Sequence, residues 1–81
     1  MTEALTSAIE SETGRLAQIV DPVERFHAAR KFREALAAGD RAAKAMERNA
    51  VNELKQERPW REVGDLLGVS GSRAEQIAKG R

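Results

Sequence analysis

Between Pro59 and Lys79 the chain sets two short apolar periodicities on either side of a Gly-Val-Ser step, and few folds accept that arrangement. Val63, Leu66 and Leu67 fall at helical spacing and share one face. Gly64 lies beside that face, where a missing side chain leaves room for a second helix to pass. Gly68 follows the last apolar residue, at the position where a left-handed backbone ends a helix without steric cost to glycine. Ser70 offers its hydroxyl as the N-cap of a new helix, and Ser72 with Glu75 is spaced for a capping box two residues on. Ala74, Ile77 and Ala78 then repeat at three and four residues as a second apolar face. Two such faces joined by a turn of about three residues predict a helix-turn-helix, its second helix running over 71–79.

The run Leu66-Leu67-Gly68-Val69-Ser70, followed by Ser72-Arg73-Ala74 and Gln76-Ile77, resembles the helix-turn-helix of sigma-factor region 4. It is equally similar to the small bacterial regulators that share the pattern. The resemblance covers about a quarter of the chain. It implies double-stranded DNA as partner, and it implies that positions 71, 72, 75 and 76 meet bases. Arginine is common in that family at two of these positions, where this chain carries Gly71 and Glu75.

The residues themselves point the same way. Gly71, Ser72, Glu75, Gln76 and Lys79 are expected opposite the apolar face of the second helix, and so toward a major groove. Gln76 can bond adenine at two points, and Ser72 can reach a base or a phosphate. Glu75 would accept from cytosine, or repel phosphates and so reject other sequences. Arg61 and Arg73 suit a grip on the DNA backbone; the competing reading pairs each with a carboxylate such as Glu62 or Glu57. Ser70 would give its backbone N–H to a phosphate at the helix N-terminus. The terminal Lys79-Gly80-Arg81 adds cations that either touch phosphates or fray. Arg41, Lys44, Arg48 and Lys55 lie mostly off the apolar face of the preceding helix, as a phosphate track or a solvated face. For the whole reading face, the plainer alternative is the solvated side of a protein-interaction domain.

Upstream of the motif the pattern remains helical. Thr2 is placed to cap a first helix reaching about Val20, with Leu5, Ile9, Leu16 and Ile19 or Val20 as its stripe and Ala8 beside them. Gly14 interrupts it at a cost of about 1 kcal/mol relative to alanine, and the helix is expected to bend or fray there. Asp21-Pro22-Val23-Glu24 is a start signal: a capping carboxylate, proline at the first helical position and negative charge in the first turn. Val23, Phe26, Ala29, Phe32 and Leu36 carry a face up to Gly39-Asp40. Ala43, Met46, Ala50, Val51 and Leu54 continue it in nearly the same phase. Gly39-Asp40 would either close one helix and cap the next, or lie inside one long helix, straight or kinked, to about Glu57. Positions 32, 36, 39, 43, 46 and 50 alternate four and three, a coiled-coil spacing, and two residues make a short link for reversing a chain. Both points favour the single helix. Pro59 then breaks it, and Trp60 is expected to pack on its end.

The expected fold is therefore all-α: an N-terminal helix packed on a long central helix, then a C-terminal helix-turn-helix. Residues 1–58 form the support and dimerisation region and 59–81 the motif, within one compact domain. At 81 residues with few aromatics, the core should be thin, which motivates a homodimer. Net charge is +1, but acidic residues outnumber basic ones over 1–40 and the reverse holds over 41–81. Positive charge thus gathers on the half that holds the motif. With no cysteine, disulfides and thiolate metal sites are excluded. No apolar run approaches the roughly 20 residues of a membrane span, and no signal peptide is legible, so a cytoplasmic protein is expected. His27 is the lone histidine and is expected to border the packing face of the long helix. No phosphate loop appears, and neither an enzyme nor a cofactor is expected. Two functions remain. One is a sequence-specific DNA-binding transcription regulator. The other is an adaptor for a polymerase subunit or regulator, with a degenerate motif and a partner surface on the N-terminal helices.

Overall fold

The computed structural model describes residues 2–80 and is all-α. Its helices are α1 (Thr2–Ala17), α2 (Pro22–Lys55), α3 (Trp60–Leu67) and α4 (Gly71–Ala78). Two compact units share α2: Met1–Ala37 and Ala38–Arg81. Among the described residues, no helix is long and apolar enough to cross a membrane.

In the first unit, α1 passes through Gly14 unbroken and ends at Ala17, short of the expected Val20. Two tighter backbone bonds close it, Gln18 N–H to Arg15 O and Ile19 N–H to Leu16 O. Thr2 is the first helical residue rather than the residue before it, and the capping position itself lies outside the described residues. Asp21 starts α2 as its sequence requires. The Asp21 carboxylate accepts from the Glu24 amide at 2.9 Å, and its carbonyl accepts from the Arg25 amide at 2.9 Å. Arg25 Nη1 also donates back to Ile19 O at 3.0 Å, tying the loop to the new helix. Leu16 is buried, with Ile9, Ile19, Ala28, Ala29 and Phe32 half-buried. Much of the expected stripe stays outside: Val20 is 90% exposed, Phe26 56%, and Leu5, Val23 and Leu36 are also open. His27 is exposed too, its ring edge-on to Phe26 at 5.4 Å, so it does not border a packed face.

Gly39-Asp40 does not interrupt α2, which is one α-helix of 34 residues. The Asp40 carboxylate serves the helix interior instead, pairing with Lys44 Nζ one turn on at 3.3 Å. The helix stops at Lys55. Arg58 N–H reaches Lys55 O at 3.4 Å before Pro59 turns the chain in an extended conformation. Val63 N–H donates to Pro59 O at 3.1 Å and begins α3. Trp60 is half-buried, and Lys55 Nζ lies 5.3 Å from its ring centroid, so the indole covers the end of α2 as expected.

The core of the second unit is Val51, Val63 and Ala74, one from each of its helices, with Leu54, Trp60, Val69, Ile77 and Ala78 packed around them. Val63 and Ala74 are 0% exposed. Burying a valine side chain contributes about 1.5–3 kcal/mol. Of the three residues expected to share the inner face of α3, Val63 alone is sealed; Leu66 and Leu67 are exposed.

Candidate nucleic-acid interface

The setting of α4 against α3 follows from three small residues. A Cβ added at Gly64 would meet Val69 O at 2.6 Å, Ser70 C at 2.8 Å and the Gly71 amide nitrogen at 2.8 Å. Those are backbone atoms, so no larger residue fits unless the turn moves. Gly68 ends α3 in the left-handed region at φ 73°, and the Val69 amide returns to Gly64 O at 2.9 Å. Ser70 caps α4, its Oγ accepting from the Arg73 amide at 3.0 Å. Replacing such a cap with alanine costs about 1 kcal/mol.

Because Ser70 occupies the cap, Ser72 already lies inside the helix and the box with Glu75 does not form. The Glu75 carboxylate instead accepts from Lys79 Nζ at 3.0 Å. Gly71 is likewise not a solvent-facing position. It is half-buried, and a Cβ there would lie 3.2 Å from the Trp60 carbonyl and the Arg61 amide nitrogen. Its place is the crossing of α4 over the start of α3, where a larger residue would press on backbone.

The outward side of α4 consists of Ser72, Gln76 and Lys79, all opposite Ala74. Arg73 flanks this ridge on one side, its Nη1 donating to Gln76 Oε1 at 3.4 Å. Half-buried Glu75 flanks it on the other. Arg61 is exposed at the first turn of α3. Of the carboxylates expected as rival partners, Glu62 or Glu57, Glu62 faces Arg58 instead, at 3.8 Å. Ser72, Arg73 and Gln76 are thus brought together on α4, with Ser70 and Lys79 at its two caps and Arg61 on the neighbouring helix. Arg81 lies outside the described residues.

Two side chains that anchor this arrangement are not legible as such in the sequence. Asn52 Nδ2, on α2, donates to Ala78 O at 3.4 Å as well as to Arg48 O at 3.0 Å, and so satisfies a carbonyl at the end of α4. Arg48 lies over Gly80, which has φ 76°; a Cβ there would come 3.0 Å from Arg48 Nη1. Both contacts join residues far apart in the chain, and helical spacing carries no trace of them. Comparison with family models, curated proteins and solved structures found no match for this chain.

Proposed function

We propose that this chain is a sequence-specific DNA-binding transcription regulator that inserts α4 in the major groove and acts as a dimer. The observation that carries the reading is the setting of α4. It is locked by Gly64, Gly68 and Ser70, sealed on its inner side by Ala74, and presents Ser72, Gln76 and Lys79 outward. An α-helix with its side chains, about 10–12 Å across, fits a groove about 12 Å wide. In this role Gln76 reads adenine, Ser72 reaches a base or phosphate, and Arg61, Ser70, Arg73 and Lys79 hold the backbone. Glu75, drawn toward Lys79, tunes the charge beside the ridge more than it reads a base. The resemblance to sigma-factor region 4 and to small bacterial regulators supports the same partner. Such a protein would work in the bacterial cytoplasm.

One short recognition helix makes few contacts, which is the physical reason for a pair of motifs about 34 Å apart on one face of DNA. The open apolar residues of the first unit, Leu5, Val20, Val23 and Phe26 among them, are the kind of surface a second copy would cover. The same residues favour the second reading, an adaptor that binds a polymerase subunit or another regulator through its N-terminal helices.

Selection from random-sequence duplex at two salt concentrations separates the two. A regulator enriches a motif whose palindromic or direct-repeat spacing gives the symmetry of the dimer. An adaptor enriches nothing, and any weak binding vanishes with salt.

A further inference from the structure

The second unit contains a groove of about 430 Å³ lined by Lys44, Glu47, Arg48, Arg73, Ile77 and Gly80, between the C-terminal half of α2 and α4. Three of its lining side chains are cationic and one is anionic. Glu47 lines the groove and Asp40 pairs with Lys44 beside it, so the cations that α2 offers to an anion there are Lys44, held only by that solvated pair, and Arg48.

Two observations make it more than a charged surface. Arg48 occupies space that Gly80 leaves free: at φ 76° the backbone suits glycine, and any Cβ would crowd the guanidinium at 3.0 Å. Asn52, one turn further along α2, donates to the Ala78 carbonyl at the same end of α4. The groove wall is therefore fixed to the recognition helix rather than swinging beside it. The second observation concerns Arg73, which belongs both to the groove and to the reading ridge, since its Nη1 donates to Gln76 Oε1 at 3.4 Å. Whatever meets Gln76 has the groove as its immediate neighbour. Lys44 is 72% exposed and its pair with Asp40 at 3.3 Å is solvated, so that pair yields to a stronger anion at little cost.

We infer that this groove seats a DNA phosphate next to the base pairs that Gln76 reads, with Lys44 and Arg48 as its principal contacts. The inference rests on the proposal that α4 reads DNA. A guanidinium offers parallel N–H donors that match two phosphate oxygens, and the lysine ammonium adds a point charge. An acidic polypeptide offers the same sign of charge. Contiguity with Gln76 favours the phosphate, because a strand that places a base edge at Gln76 must carry its backbone past Arg73.

The test is the double variant Lys44→Gln with Arg48→Gln, compared with wild type and Gln76→Ala. Each is titrated against the selected duplex and a shuffled duplex over a range of salt. The double variant should bind both duplexes more weakly by the same factor. Its plot of log K against log salt should flatten by about two units, close to one for each cation that no longer neutralises a phosphate. An unchanged slope, with Gln76→Ala still losing its preference, overturns the seat and leaves the DNA-reading proposal standing. A lost preference at unchanged slope also overturns the seat, because the groove would then only be holding α4 in place. No binding by wild type to either duplex overturns both. If the double variant melts below wild type, Lys44→Gln alone decides the question, with a change of about one unit expected and none overturning the seat.

Discussion

In the second unit two helices of eight residues each, crossing close over one glycine, seal Val63 and Ala74 completely from solvent. The first unit has a longer helix, α1, yet Leu16 keeps 7% exposure and Leu5, Val20, Val23 and Phe26 face water. The contrast lies in how closely backbones approach rather than in how much apolar residue is present. Gly64 lets α4 lie within van der Waals reach of α3, so small side chains suffice to close the core. Among the described residues of the first unit, Gly14 has no packed neighbour within 4 Å of where a Cβ would lie, and the apolar stripe around it is left open. The second unit holds one helix in a fixed setting, and the first leaves its large apolar side chains open to solvent.

The largest effect should come from removing that close approach. Gly64→Ala would drive a methyl group into three backbone atoms, at a cost of about 3 kcal/mol. Hydrogen exchange should show protection lost across 59–80 and retained in α1; equal loss in both would break the contrast. Next comes a pair of truncations. Val63→Ala should destabilise by about 2 kcal/mol, whereas Val23→Ala, already 64% exposed, should change stability by less than about 0.5 kcal/mol. Urea melts of the two variants sharpen the comparison, and similar midpoints would contradict it.

The smallest effect is a pH dependence confined to the first unit. A side-chain hydrogen bond from Arg15, with its charge added, holds the Glu12 carboxyl below its ordinary value of 4.5. Folding therefore favours the ionised form. This contribution is complete above the ordinary value and fades as pH falls through the lowered one. Because both groups are exposed it should be slight. Glu12→Gln should remove it from an acid titration of helicity, and an unaltered titration would exclude the pair as its source.

Where a constraint is local, the residues reveal it. Gly64, Gly68 and Ser70 act within a few positions of one another, and Asp21-Pro22 within one turn, so spacing and residue type suffice. Gly39-Asp40 is ambiguous in sequence because aspartate caps a helix or pairs within it equally well, and only the phase shared by the flanking faces favours a continuous helix. The exposure of Leu66 and Leu67 does not follow from a face that three residues share. How deep each one sits depends on where α2 lies. Gly71 departs from expectation for a related reason: the wheel of α4 puts it at the margin of the outward face, and the crossing with α3 decides which way the margin turns. The anchors Asn52 and Arg48 act on residues 78 and 80, a separation that no periodicity reports.

The most direct test of the central claim is a titration of wild type and Gln76→Ala against the selected duplex and a shuffled one at fixed salt. If the outward ridge of α4 reads bases, the variant should lose about 1–3 kcal/mol of preference for the selected site while binding the shuffled duplex like wild type. A variant that keeps the full preference would contradict the account, because the side chain at the centre of the ridge would then be touching nothing that carries sequence.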